Sequence, residues 1–243
     1  MTAVPGLGSL TGRGGSGAGL GFRASRVPVG KNYAMGAGFN KMFRIGDSVV
    51  KPQFQVLSLC DHSGAWSAPW ESAGYSVCRV DLQDGADVRL IPYLEHAPSV
   101  ILAAPPCDHF SVSGARWWAS KGPTALFDGL AVVDACLRAV ALYRPRIWAL
   151  ENPAGRLSQY LGPAVATFDP ADYGDPYTKL TCLWGEFTMP QKNPVPATEG
   201  SKMHKIGPSP ERKNLRSVTP VGFAAKFYRA NAWQVERPLS GAA

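Results

Sequence analysis

The sequence has no Cys-x-x-Cys pair and no Cys/His cluster; its five cysteines, Cys60, Cys78, Cys107, Cys136 and Cys182, are widely spaced and odd in number. That pattern excludes a zinc module and a disulfide framework and predicts reduced thiols. No uninterrupted apolar run reaches the roughly 18 residues of a membrane span. The N-terminus also lacks the apolar core of a signal peptide, so a soluble, cytoplasmic protein with no membrane contact is expected. "GLGSLTGRGGSGAGLGF" is glycine-rich but follows no strand and contains no Gly-Lys-Ser/Thr, so it matches a phosphate loop only weakly. Residues 1–38 hold 11 of the 26 glycines with almost no apolar periodicity and read as a flexible, basic extension.

What the sequence does have is length for a core without covalent staples, 243 residues, and a formal charge of +7 that is unevenly spread. Residues 1–51 carry seven Lys/Arg against one acid and residues 187–216 six against two, whereas residues 52–186 carry nine against fourteen. Segregated positive charge suits a polyanion such as nucleic acid, and equally suits solvated tails.

From residue 55 short apolar runs alternate with helix-like stretches. "QVLSLC" (55–60), "YSVCRVD" (75–81), "SVILAAPP" and "RIWALENP" read as strands, and "KLTCLWG" as a fifth. "GAWSAPWESAGY" reads as a turn and helix closed by Gly74, and residues 124–143 as a long amphipathic helix. Strands alternating with helices predict an α/β fold with a mainly parallel sheet, whose ligands bind at the carboxyl ends of the strands. Past Glu186 the chain turns proline-rich and basic, as a surface excursion or binding loop does. Residues 219–231 read as a closing helix with Pro220 in its first turn.

Each strand delivers polar or reactive groups to one edge: "CDHSGAW", Asp81, "PPCDH" and "ENP". Asp81 stands where a nucleotide-binding sheet places an acid against ribose hydroxyls. Pro105 and Pro106 fix φ and hold Cys107 stiffly beyond its strand, among Asp108, His109, Ser111 and Ser113. Buried structural cysteines behave as small hydrophobes, which suits Cys78 and Cys136 better than Cys107. Cys107 by itself reads as a loop cysteine or as a nucleophile. A carboxylate closing an otherwise apolar strand is costly without a partner, so Glu151 reads as a hydrogen-bonded structural group or as a functional one.

Together these residues resemble the DNA cytosine-5 methyltransferases, in a compact, phage-like form, from about residue 56 to 185 and on through 231. "PPCDHFS" is similar to the family's Pro-Cys nucleophile motif and "LENP" to its Glu-Asn motif, in matching order and separation. "LSLCDHSGAWSAPWESAGYSVCRVD" resembles its cofactor-binding start, and "DYGDPYTKLTCLWG" the segment that supports the target base. The resemblance implies a Rossmann-like class I S-adenosylmethionine-dependent methyltransferase with a short target-recognition insertion, acting as a monomer and without metal on double-stranded DNA. The setting it implies is a bacterial or phage-infected cell.

Carried over residue by residue, Cys107 is the nucleophile and Glu151 binds the ring nitrogen and exocyclic amine of cytosine. Lys179 is the cation kept in the base-supporting segment, where Tyr177 and Thr181 replace the family's other polar groups. S-adenosylmethionine contacts are implied for Leu59, Asp61, Ser63, Gly64, Ala65, Trp66, Pro105 and Leu126. Asp81 falls on the ribose, Asp87 on the adenine amino group and Val88 on its ring. Nucleic-acid contacts fall to Ser111, Arg116, Lys192, Lys202, Lys205, Arg212, Lys213 and Arg216, with Lys121 a further candidate cation.

The sequence departs from the family where a glycine-rich opening is replaced by Cys60, Asp61, His62, Ser63 and Gly64. "FRIGDSVVKP" (43–52) resembles the segment that normally ends the family, which implies a circular permutation; residues 219–231 compete for that structural role. The expected organisation is an extension at 1–38, a catalytic α/β domain at 39–186 with 39–52 as the permuted motif, a target-recognition region at 187–216 and a closing helix and tail at 217–243. An RNA cytosine-5 methyltransferase and an inactive nucleic-acid-binding relative stand as alternatives.

Overall fold

A computed structural model describes residues 55–236. The Gly-rich extension and the "FRIGDSVVKP" segment lie outside the described residues, as does the tail from 237.

The apolar runs form strands β1 (Val56–Leu59), β2 (Val77–Val80), β3 (Val100–Ala103), β4 (Ile147–Pro153), β5 (Ala166–Phe168) and β6 (Thr181–Glu186). They join in one sheet of order β2-β1-β3-β4-β6-β5. The first four pair in parallel, while β6 runs antiparallel to both its neighbours. The fold is therefore the expected Rossmann-like α/β type with a mainly parallel sheet. The helices are α1 (Ala68–Ser72), α2 (Trp118–Tyr143), α3 (Ser158–Leu161), α4 (Lys202–Lys205), α5 (Arg212–Ser217) and α6 (Val221–Glu236).

Both faces of the sheet are covered, which is why β1 and β3 are buried throughout and carry one polar residue between them, Ser58. The period of two along each strand sorts their side chains between two cores. Leu57, Leu59, Ile101, Ala103 and Leu150 pack with Val133 and Cys136 of α2. Val56, Val100, Leu102, Ile147 and Ala149 pack with Trp66, Trp70 and the α6 residues Phe223 and Phe227. Leu59 pairs with Ala103 and Ala103 with Leu150, so the loops leaving β1, β3 and β4 emerge side by side.

Three elements differ from the sequence reading. Helix α2 starts at Trp118 rather than at 124, but Gly122 breaks it with φ 70 and ψ −179 just before Pro123. The turn before the break and the long helix after it are thus separate pieces. Strand β5 is three residues long, too short to show a period, and it displaces "KLTCLWG" to sixth in the chain and to the antiparallel direction. Helix α6 begins after Pro220, whose carbonyl accepts the Ala224 N–H at 2.9 Å, and continues past 231 to Glu236.

Residues 187–220 hold no strand and two short helices, α4 and α5. Asn231 anchors their start: its side chain accepts the Thr188 N–H at 2.7 Å and donates to the Thr188 carbonyl at 2.9 Å. No helix of the described residues is long and apolar enough to cross a membrane.

The α6 core rests on an aromatic stack in which Phe168 and Phe223 lie 3.9 Å apart at 13°. Phe223 is fully buried, and removing its ring leaves a cavity beside Phe168 in the core. Phe223→Ala should cost about 3–5 kcal/mol, read as a lower urea midpoint with an unchanged slope.

Candidate active site

The site is built at the joint between the loop after β3 and the turn after β4. Ala104 continues the ladder to the Leu59 carbonyl at 2.9 Å, and the two prolines then carry the chain outward to Cys107. Asn152 at the end of β4 donates its Nδ2 to the Pro105 carbonyl at 2.8 Å, a fully buried bond. Beyond Cys107 the loop closes on itself, because the Phe110 and Ser111 N–H groups reach the Cys107 carbonyl at 2.9 and 3.0 Å. It then pairs with the "PAGR" turn: Val112 N–H to Ala154 at 3.0 Å, Arg156 N–H to Phe110 at 2.9 Å, and Arg156 Nε to the His109 carbonyl at 2.7 Å. Gly155 is required there, since a Cβ would collide with the Phe110 carbonyl.

This joint brings Cys107, Glu151 and Lys179 into one electrostatic group. Burial pushes the Cys107 thiol up, Asp108 and Glu151 push it further, and Lys179 and Arg216 oppose them. Burial likewise raises Glu151, against the pull of Lys179, with Asp61 adding to the rise. The Thr219 side chain favours the ionised form of Glu151 and opposes the rise, but the buried Oε2 has no hydrogen-bond partner. Lys179 is itself buried, with Nζ 3.3 Å from the Val218 carbonyl. The chain has put an acid, a thiol and an ammonium where water is scarce, an arrangement costly to stability and characteristic of a working site.

The residues flanking Cys107 do not activate it. Asp108 raises the thiol and is itself paired with Lys213 at 2.7 Å. The His109 ring packs against Gly129 of α2, and burial followed by the Lys121 charge holds its pKa below the ordinary value, so it is neutral.

A cavity of about 740 Å³ runs from the end of β1 and β2 past Cys107 to α5. That volume is within the range of cofactor and ligand pockets. Of the residues expected against a nucleoside, Asp61, Ser63, Asp81, Asp87 and Val88 line it. Asp81 spends one oxygen on the Gln83 N–H at 2.8 Å, leaving the other for a hydroxyl. Asp87 is more committed, with both oxygens on Arg89.

Asp61 is a loop organiser: it is buried and accepts the hydroxyls of Ser58 and Ser67, each at 2.8 Å. Cys60, where a glycine-rich turn would begin, adopts φ 60, a left-handed conformation usual for glycine. The cavity lining does not include Leu59, Gly64, Ala65, Trp66, Pro105 or Leu126. Trp66 turns to the opposite side of the sheet, where its ring meets Phe227 at 5.9 Å. Leu126 packs against the α2 core.

The expected nucleic-acid contacts divide in the same way. Ser111, Arg116, Arg212, Lys213 and Arg216 line the cavity, as does Lys121. Arg216 donates to Ser113 at 2.9 Å, and the buried Nε of Arg212 has no partner. Lys192 pairs with Asp172 at 3.0 Å, while Lys202 pairs with Glu199 at 2.9 Å and Lys205 reaches the Glu199 carbonyl at 2.6 Å. Those three lysines lie outside the cavity lining. Thr219 and Arg156 belong to the site without having been picked out from sequence. Neither carries a motif: Thr219 arrives from the start of α6, and Arg156 acts through backbone carbonyls.

No family model matches the chain. In sequence it is similar to the type II methyltransferase M.AplI of Arthrospira platensis, at 29% identity over 142 residues that cover 51% of this chain and 39% of that relative. The chain thus spans about two fifths of the relative's length. Among solved structures it is similar to a candidate DNA modification methyltransferase encoded within a prophage (E. coli), with 18% identity and a TM-score of 0.38 over 65% of this chain and 50% of that one.

The joint makes a prediction of its own. Gly155→Ala should destabilise the fold by about 1–3 kcal/mol, the cost of overpacking, and should displace the Cys107 loop. The midpoint of urea unfolding checks the first effect, and the rate of Cys107 alkylation in the folded protein checks the second.

Proposed function

We propose that the protein is an S-adenosylmethionine-dependent DNA methyltransferase that modifies C5 of cytosine through a covalent bond from Cys107. The observation that carries this reading is the pairing of Cys107 with Glu151, whose buried Oε2 is unpartnered while its pKa is held above the ordinary carboxyl value. The sequence similarity to a type II methyltransferase supports the same reaction class.

Cytosine C5 is too weak a nucleophile to take a methyl group unaided. Addition of the Cys107 sulfur to C6 pushes an electron pair toward C5, and a proton placed on N3 by Glu151 accepts the charge that would otherwise accumulate in the ring. Burial raises the Glu151 carboxyl above its ordinary value and so favours the protonated form, which is what a proton donor needs. The free Oε2 gives the base edge a hydrogen-bonding site that no group of the protein occupies. Lys179 limits the cost of negative charge on either partner. After methylation, loss of the C5 proton to solvent and cleavage of the sulfur–C6 bond expel the Cys107 thiolate, and return of the N3 proton to Glu151 restores the aromatic ring and the carboxyl; the thiolate takes up a proton from solvent. Because C6 is inaccessible inside a duplex, the base must leave the stack to meet the thiol.

The residues present fit the cofactor. Asp81 would take ribose hydroxyls with its free oxygen, and Val88 would lie against the adenine, at the end of the cavity remote from α5. When bound, S-adenosylmethionine supplies an electrophilic methyl group on a sulfonium. The cations of Arg212, Lys213 and Arg216 give the opposite end a lining suited to phosphates.

Labelled S-adenosylmethionine should transfer its methyl group to cytosine-containing DNA, and Cys107→Ser should abolish the transfer. DNA carrying 5-fluorocytosine should trap Cys107 in a denaturation-resistant adduct, because the C5 proton is missing. Label on RNA alone, or equal transfer by the serine variant, would overturn the reading.

The pH dependence follows from the two raised groups. Thiolate increases with pH through the elevated Cys107 value, while protonated Glu151 declines through its own, so kcat/KM should rise toward alkaline pH and then fall. Lys179 lowers both values. Lys179→Met should therefore move both limbs to higher pH, measured as a pH–rate profile.

A further inference from the structure

We propose that Trp117 is a stacking platform for an unstacked nucleobase at the mouth of the cavity. The inference rests on the nucleic-acid reading above and adds a residue and a ligand chemistry to it.

Trp66 and Trp70 are fully buried, whereas Trp117 is 54% exposed and lines the cavity that holds Cys107. A single exposed aromatic is ordinary in a soluble protein; its surroundings set this one apart. The Arg116 guanidinium lies 5.1 Å from its ring centroid, so one π-face already carries a cation. Lys121, Arg212, Lys213 and Arg216 line the same cavity. An indole flanked by cations is the combination that binds unpaired nucleic acid, the cations tracking phosphates and the ring stacking a base of any identity.

The backbone fixes the ring's position relative to the thiol. Residues 112–117 form a 3₁₀ turn directly after the Cys107 loop, and Ser111 caps it through Ser113. Gly122, with φ 70, separates this turn and the four residues after it from the body of α2. Lys121 Nζ ties the segment back to the Asp108 carbonyl at 2.8 Å, and Arg216 binds it from α5 through Ser113 at 2.9 Å. Trp117 is thus held by the same short segment that positions the nucleophile, at the opening rather than on the floor. A base stacked there belongs to the bound strand and is not the one that reacts.

The test uses the full-length protein without S-adenosylmethionine, so that it does not depend on methyl transfer. DNA duplexes carry 2-aminopurine on either side of a cytosine or opposite it, and binding and fluorescence are read for wild type, Trp117→Phe and Trp117→Ala. Wild type should change the fluorescence at one of the three positions, Trp117→Phe should retain that change, and Trp117→Ala should lose it. Trp117→Ala should also bind roughly 5- to 150-fold more weakly, the range of base–aromatic stacking. Circular dichroism and S-adenosylmethionine affinity should be unchanged. Equal fluorescence and affinity in all three proteins would overturn the proposal, as would weaker S-adenosylmethionine binding with unaltered DNA binding. Label transfer to DNA with no effect of Trp117→Ala would remove the platform alone, and a platform signal without label transfer would remove the methyltransferase reading alone.

Discussion

The bond from Asn152 Nδ2 to the Pro105 carbonyl, 2.8 Å long and buried, is the point from which the rest of the site is measured. It joins the end of β4 to the loop that leaves β3, and those are the two strand ends that carry Glu151 and Cys107. A two-proline loop is stiff but has few N–H groups with which to anchor itself, so an external donor has to supply the constraint. Asn152 does so from the residue next to Glu151. The thiol and the carboxyl are therefore set against one another by a single side chain, and the backbone pairing of 110–112 with 154–156 extends the same contact.

That geometry explains the electrostatics. With the two loops locked together, Glu151 cannot move toward water, and burial dominates its titration. A lone buried carboxyl would favour neutrality outright, and Lys179 tempers that without cancelling it. Cys107 feels the same opposition, since the acids beside it raise its thiol and Lys179 and Arg216 lower it. The thiol is accordingly protonated at rest, and an oxidation-prone thiolate is not left standing at the cavity wall. Thr219 completes the arrangement from the start of α6, so the far end of the chain also contributes to the carboxyl's surroundings.

Much of the sheet was legible in the sequence because buried parallel strands read as short apolar runs, and β1, β2, β3 and β4 fell where such runs occur. The polar edge was legible for the same reason: a charge closing an apolar run marks a strand end. Direction and partnership were not. Nothing local in "KLTCLWG" distinguishes an antiparallel strand inserted between β4 and β5 from one more parallel strand, and β5 is too short to show any period. Side chains near a motif were also hard to assign to a face. Trp66 lies two residues beyond a turn glycine, yet its indole enters the α6 core, because a large aromatic gains more from Phe223 and Phe227 than from an open cavity. Charge position was least legible. Six basic residues stand in 187–216, but only Arg212, Lys213 and Arg216 reach the cavity, since α5 folds against the Cys107 loop and the other three are engaged with Asp172 and Glu199.

The division of those cations bears, on the proposed reading, on how the chain grips a polyanion. Lys213 is paired with Asp108 and Arg216 with Ser113, both on the segment that carries the nucleophile. Exposed pairs of this kind contribute little to stability, on the order of 0–1 kcal/mol each. On the proposed reading a phosphate can take over either cation without a large penalty, and taking over Lys213 also frees Asp108. Asp108 is one of the charges that raise the Cys107 thiol, so its release from Lys213 alters the field at the sulfur at the same moment that substrate arrives. Grip and chemistry are in this way connected on that reading through one acid, directly beside the nucleophile in sequence. A short basic helix placed there influences the reaction centre more than a larger charge spread over a remote surface, because screening confines exposed charges to about 8–10 Å.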